Sequence, residues 1–388
     1  MRTADILFPG INENNNKVLC ELKEKLNESK KDEIWMLCLG AGVSMSVGLP
    51  NWYKLLAKIT AQLLPMTGSN DNDCSESAYY RDVFQFLYGL DYDNTFLKKI
   101  SDSYNGEYHA TFESINVLEC AEYIRNFIEL SLKYSDEDND NEVVFRKRID
   151  SYMNYLIEQA CMTDITVDKS NEEIKNTTLA AVARLMKSDK DEIIHNVITY
   201  NYDNLLETYL RRICDCKEDE IHSIVKGDEL RDFGEQKEWN IYHVHGRIPI
   251  IPHPGEEMSD SVILTESDYY QQEKINYSWI SVLQSYAMLR TNMIFVGFSG
   301  SDYNFRRIIK YVNQENAMTH ERYIFFSVND IVYAVFAREL KNGKKIEDCI
   351  RDMNKSHSEY SYEKMFINYL IHAQSVYWKK IFNIFNFI

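Results

Sequence analysis

The sequence predicts an α/β fold: a doubly wound, mostly parallel sheet with a helical insertion and a helical C-terminal segment. Three observations lead there. Apolar runs at 34–39, 193–200, 239–245, 293–298 and 323–328 alternate with stretches of helical periodicity, the pattern of strands buried on both faces by crossover helices. Four of these runs end in loops of small or polar residues: GAGVS at 40–44, TYNYD at 199–203, HVHG at 243–246 and GFSGSD at 297–302. Only 14 glycines and 6 prolines interrupt the 388 residues, which favours long regular elements over turn-rich β structure.

In chain order, a charged amphipathic helix over about 16–30 precedes the first strand, 34–39, and a second helix covers 52–64. From 65 to 170 no strand-like run stands out. Ile115, Leu118, Ala121, Ile124 and Ile128 fall on one helical face, so this stretch reads as a helical insertion. Within it, SDEDNDNE at 135–142 suggests a calcium loop, but Asn141 replaces the turn glycine and Lys147 stands where the bidentate glutamate belongs. A solvated acidic loop fits better. A helix at 177–186, a strand at 193–200, a helix at 204–213 and a strand at 239–245 follow. The proline-rich 249–255 is loop, 262–264 a short strand and 266–289 a helix. The strand 293–298, the helix 304–312 and the strand 323–328 complete the sheet, and the chain ends in helical, aromatic sequence. The expected division is a sheet domain made of 1–64 and 171–345, the insertion 65–170, and a C-terminal segment 346–388 that serves as an interface.

The formal net charge of −17 argues against direct binding of nucleic acid, because a phosphate backbone would be repelled. An anionic dinucleotide is still accessible to such a chain through backbone amides. The 8 cysteines are scattered and include no C-x-x-C pair, which points to a reducing, cytoplasmic compartment. The first 16 residues have no apolar core of a secretory signal. The most apolar stretch, 365–388, is broken by Asn368, His372, Gln374, Lys379 and Lys380, a poor membrane span.

In an open α/β sheet the carboxyl ends of the strands converge on one crevice. The four loops would therefore share a pocket, with glycines close to a bound pyrophosphate and a helix N-terminus facing its charge. Met45 stands where a third glycine of G-x-G-x-x-G is expected, so the first loop carries the assignment only together with the other three.

The four motifs, in this order, resemble the sirtuin superfamily. GLPNW at 48–52, NYDNLLE at 201–207, ILTESDYY at 263–270 and GFSGSDYNFRRI at 297–308 are similar to the sirtuin-like NADases of bacterial antiphage defence. The resemblance implies a Rossmann-like domain that takes NAD+ as substrate and cleaves it to nicotinamide and ADP-ribose, depleting the cell of NAD+ in abortive infection. It implies that Asn201 holds a water or the ribose hydroxyls, that Asp203 contacts the nicotinamide carboxamide, and that His245 acts as base. Ala41, Gly42 and Ser44 would hold the pyrophosphate, and Gly297 and Ser299 would meet the adenosine side. Gly40, Trp52, Thr199, Phe298 and Asp302 would complete the pocket. Tyr200 stands where sirtuins carry glutamine.

The four-cysteine zinc ribbon of the family's protein deacetylases is missing, so no zinc is expected. Asn51-Trp52-Tyr53 replaces their Asp-Phe-Arg. Both departures point away from protein deacylation. By the same resemblance the partners are a second copy of the chain, in a homo-oligomer, and a HerA-type hexameric ATPase, with no membrane involved.

Several residues also have plainer readings. Asn201 could cap the helix that begins near 203, and His245 could be a satisfied core histidine. Cys214, Cys216, His243 and His245 could form a zinc site, although Cys-x-Cys is a poor match to zinc spacing. Asp302 reads as an N-cap for the helix at 304. Trp52 is core or a lid over the nicotinamide. Arg306 and Arg307 form a phosphate clamp or a solvated helix face. Two other functions stay open: an NAD-dependent protein deacylase, and a non-catalytic subunit that senses NAD or ADP-ribose.

Overall fold

The computed structural model describes residues 9–29, 33–63, 117–135, 141–162, 176–187, 193–230, 238–253, 259, 262–274, 278–300, 302–314, 320–325, 332, 335–336, 339–340, 343–355, 362–382 and 386–387. Its elements in order are α1 (Pro9–Glu28), β1 (Trp35–Leu39), α2 (Ala41–Met45), α3 (Trp52–Leu63), α4 (Val117–Ser135), α5 (Glu142–Met162), α6 (Thr178–Lys187), β2 (Asn196–Thr199) and α7 (Leu205–Cys214). These are followed by β3 (Ile221–Ile224), β4 (Trp239–His243), α8 (Glu266–Lys274), α9 (Trp279–Arg290), β5 (Asn292–Val296), α10 (Tyr303–Gln314), β6 (Arg322–Phe325), α11 (Ile346–Lys355), α12 (Tyr362–Phe382) and β7 (Asn386–Phe387).

The described strands form one sheet in the order β3-β4-β2-β1-β5-β6-β7, and every pairing is parallel. The doubly wound expectation holds. β1 is central because all five of its residues, WMLCL, are apolar and buried, which only a strand covered on both faces tolerates. Alternation along the strand divides the core. Leu37, Val197, Ile241 and Ile294 face one layer, packed with α3 to α7. Met36, Ile198, Tyr242 and Phe295 face the other, packed with α9, α10 and Trp378 of α12. Helix α10 shows the same logic: Phe305, Ile308, Ile309 and Val312 are buried, the i, i+3, i+4, i+7 stripe of an amphipathic helix.

On α4, Ala121, Ile124 and Ile128 are buried and Leu118 is half-buried, along the face their spacing predicted. Residues 64–116, which include Ile115, and most of the acidic 135–142 stretch lie outside the described residues, as does 326–328 of the last expected strand. Among the described residues no helix is long and apolar enough to cross a membrane, and the described cysteines are free thiols.

Several elements differ from expectation, among them the GAGVS loop, of which residues 41–44 lie in α2. Residues 262–264 are not a strand: Val262, Ile263 and Leu264 are buried, but the segment bridges loops instead of joining the sheet. The helix expected over 266–289 is two helices, α8 and α9. Strands β3 and β7, unforeseen, close the two edges of the sheet.

Register fixes the site. Leu39 pairs with Thr199 and Val296, Thr199 pairs with His243, and Val296 pairs with Phe325. The carboxyl ends of β1, β2, β4, β5 and β6 are therefore level, and the four loops leave from one row. β1 lies between strands that lead away on opposite sides, so the β1–β5 boundary is the topological switch point where open α/β sheets bind ligands.

Candidate functional site

The turn from β1 into α2 and the loop after β5 meet at that switch point, backbone against backbone. The Gly40 N–H donates to the Val296 carbonyl at 3.1 Å and the Gly42 N–H to the Gly297 carbonyl at 3.0 Å. A Cβ on Gly40 would lie 2.5 Å from the Gly297 oxygen, and one on Gly42 would lie 2.8 Å from the Gly297 Cα. These two glycines are needed for loop-to-loop contact, whatever the crevice binds. Gly297 has φ +60 and would place a Cβ 2.4 Å from the Val43 nitrogen. Gly297→Ala is therefore expected to lose about 1–2 kcal/mol for a side chain in the left-handed region and a further ~1–3 kcal/mol for overpacking. Urea unfolding measures the sum, and a change below about 0.5 kcal/mol, the range of a neutral surface substitution, would show that the loops can part.

The loop after β2 supplies a fixed amide. Asn201 Nδ2 donates to the Gly40 carbonyl at 3.1 Å and to Ser44 Oγ at 2.9 Å. Both partners accept, so the amide orientation is set and Oδ1 faces the other way, without a partner among the described residues. Ser44 in turn bonds the Asp203 carboxylate. Asp203 Oδ1 also accepts from the Leu205 N–H at 3.2 Å, so Asp203 caps the first turn of α7. Its carboxyl is raised above the usual range by burial, against the pull of Ser44 and of the Leu205 N–H. Thr199 Oγ1 accepts the Asn201 N–H at 3.1 Å. Asn201, Ser44 and Asp203 thus form one chain, with the asparagine side chain at its end.

His245 follows β4. Its Nε2 lies 3.1 Å from Asp302 Oδ2. Its Nδ1 is buried and has no partner among the described residues, a condition native proteins rarely leave unexplained. Asp302 Oδ1 accepts the Phe305 N–H at 2.7 Å, which makes the expected N-cap of α10. Oδ2 also accepts the Tyr269 hydroxyl at 2.6 Å, so both oxygens are engaged within the protein. Burial alone would push the Asp302 carboxyl up, but His245, Tyr269 and the Phe305 N–H outweigh it and hold it below the usual range.

The residues flanking Asn201 wall the imidazole. The Tyr200 ring meets it edge-on at 5.0 Å and the Tyr202 ring lies at 6.5 Å. The Tyr200 hydroxyl bonds Gln284 of α9, and its ring packs on Phe298 and Phe305. Tyr200 and Phe298 are therefore core residues beside His245. Trp52 is half-buried and packs against the first core layer. Ser299 is exposed, as is Arg306.

His243 turns away from His245. It pairs with Glu207 of α7 at 2.8 Å, and both side chains are fully buried. Cys216 Sγ lies 3.9 Å from the Cys214 carbonyl oxygen. The four candidate zinc ligands do not converge, and among the described residues no group of three or more His, Cys, Asp or Glu could hold a metal ion.

Sequence reasoning missed Tyr269, Gln284 and Glu207. Tyr269 had a local signal: Thr265 and Asp268 form a capping box, Asp268 N–H to Thr265 Oγ1 at 3.2 Å and Thr265 N–H to Asp268 Oδ2 at 2.9 Å. T-x-x-D sets the start of α8 and hence the face that Tyr269 occupies.

No curated protein matches the chain. Residues 195–354, which carry Asn201, His245, Asp302 and three of the four loops, match the family model of the SIR2-like domain, and this match supports a sirtuin-like assignment with NAD-related activity.

Proposed function

We propose that the chain is an NAD+ hydrolase that cleaves the nicotinamide–ribose bond to give nicotinamide and ADP-ribose. The observation that carries this reading is the pair of unpartnered acceptors on neighbouring loops, Asn201 Oδ1 and His245 Nδ1. The nicotinamide ribose carries two hydroxyls that can donate to them, and the reacting water is a third donor. NAD+ departs from ordinary glycosides in that its leaving group is already a cation. The electrons of the breaking C–N bond neutralise nicotinamide, and no general acid is needed. What remains is to position a water at the ribose carbon and to take its proton, roles suited to an amide and an imidazole. Asp203 and Ser44 keep the amide oriented.

In a cell this reaction removes NAD+, the action of a toxic antiphage effector in abortive infection. We place it in the cytoplasm, working as a homo-oligomer and under the control of a HerA-type ATPase partner. The net charge of −17 disfavours nucleic acid as a direct ligand.

The test is nicotinamide and ADP-ribose release from NAD+ by the purified chain, alone and co-expressed with the ATPase. Equal amounts of both products, without acylated peptide, are expected. NAD+ that raises the melting temperature yet stays intact in both preparations would replace this reading with a sensing subunit. Cleavage that depends on an acyl-lysine peptide would replace it with a deacylase.

A further inference from the structure

The segment 263–270 makes contacts in three directions. Under the site, the Ile263 N–H donates to the His245 carbonyl at 2.9 Å, and the Ile263 carbonyl accepts the Tyr202 hydroxyl at 2.7 Å. Toward the insertion, Glu122 of α4 accepts the Ser267 N–H at 3.0 Å and its hydroxyl at 2.8 Å. Arg125 reaches Asp268 at 3.4 Å and Asp150 of α5 at 2.6 Å. Toward the crevice, the Tyr269 hydroxyl donates to the Asp302 oxygen that faces His245.

We propose that Asp302 and Tyr269 are a positioning pair for His245, fixing which imidazole nitrogen carries the proton and so leaving Nδ1 as the acceptor for substrate. This deepens the NAD+ hydrolase reading and rests on it for what Nδ1 acts upon. An ionised carboxylate only accepts. Asp302 already accepts a backbone N–H on one oxygen and a phenol on the other, so the nitrogen beside it, Nε2, is the protonated one. In a neutral imidazole the lone pair then sits on Nδ1. Tyr269 contributes twice. Its hydroxyl holds the carboxylate and draws part of its negative charge, and its ring stands edge-on to the imidazole at 5.7 Å, opposing rotation. The bonds from Glu122 and Arg125 make α8 a rigid support for that ring.

The groups facing His245 are Asp302, Tyr200, Tyr202 and Tyr269, with Cys38 coupled electrostatically to Asp302. Burial pushes Cys38 and the three tyrosines well above their ordinary values, and the Asp302 carboxyl is held below its own, so none of these neighbours changes charge near neutral pH.

The experiment follows the His245 imidazole by NMR in the full chain labelled at histidine, its signal assigned by loss in His245→Gln. Wild type is expected to hold the Nε2–H tautomer when neutral. Asp302→Asn, which keeps the capping ability of the position, removes a negative charge and should lower the His245 pKa by about 1–3 units. Tyr269→Phe, which returns negative charge to Asp302, should raise it by a smaller amount. The acidic limb of the pH profile for nicotinamide release should move with each. Shifts of opposite sign support the pair. A His245 titration that stays put in both variants, or moves the same way in both, overturns it. Opposite shifts in a chain that releases no nicotinamide with its partner present would uphold the pair and sink the hydrolase reading.

Discussion

His245→Ala and Asn201→Ala should each reduce nicotinamide release by at least about 100-fold, the size of effect expected for removing a positioned general base or a preorganised hydrogen-bonding group. In the proposed hydrolase the two act on one reacting centre from adjacent loops, so their losses should not add, and the double variant should be little worse than the more damaged single one. Asn201→Ala also frees Ser44 Oγ and the Gly40 carbonyl from their amide partner, and part of its loss will come from a looser first loop. Ser44→Ala separates the two contributions. It leaves Oδ1 in place but removes the hydroxyl between Asn201 and Asp203, and a partial loss is expected. Steady-state product measurement with a melting curve for each variant checks the set. Rates within a few-fold of wild type in folded His245→Ala and Asn201→Ala would remove both residues from the mechanism.

The parts of this arrangement that sequence patterning carries are those with a local period. The unbroken apolar runs of β1 and β5 and the stripe on α10 define the central strands and one covering layer. The small-residue loops that follow them locate the crevice, because strand carboxyl ends are level in a parallel sheet. Strand ends were less legible. Tyr200 and Val244 continue apolar runs and are buried, yet both lie beyond the ladder, since burial under α9 and α10 leaves the same composition signal as pairing. The segment 262–264 fails for the same reason: three buried apolar residues look like a strand whether they join a sheet or fill a gap beneath Tyr202. Strand β3, IHSI, has two half-buried positions and gives too weak a signal at the sheet edge.

The site divides along a similar line. Asp302 as an N-cap is a local property and was legible. Its second oxygen is engaged by Tyr269 and His245, 33 and 57 positions away in sequence, and no spacing rule connects them. The first-loop glycines were legible as a requirement, but their cause was not. A strand followed by G-x-G implies close approach to the backbone, and here the approaching group is the turn at Gly297. The Gly42 N–H is itself bonded to the Gly297 carbonyl of that turn.

The largest stability effect is expected from the buried Glu207–His243 pair behind the site. Glu207 and His243 have fully buried side chains. Glu207 Oε1 accepts from His243 and, at 2.7 Å, from the Ser223 hydroxyl of β3. Burial pushes the Glu207 carboxyl upward, but the His243 charge and hydrogen bond, the Arg247 charge and Ser223 together hold it at about 2, against an ordinary 4.5. Glu207→Ala takes the carboxylate partner from a buried imidazole and should cost about 3–5 kcal/mol, the penalty for breaking a buried pair from one side. Glu207→Gln keeps the shape and an acceptor and should cost less. The sign of the pH effect follows from the lowered pKa. The folded state holds its proton less tightly than the unfolded chain, so the contribution is complete above pH 4.5 and is lost as pH falls toward 2. The interval corresponds to about 3 kcal/mol, of which about 2 kcal/mol should be gone by pH 3. Many other carboxylates titrate in that range, so the informative quantity is the difference between wild type and Glu207→Gln in urea unfolding at pH 7, 5 and 3. That gap should narrow as pH falls. A gap that stays constant would mean that Glu207 is protonated in the native protein and that His243 is held by shape and hydrogen bonding alone.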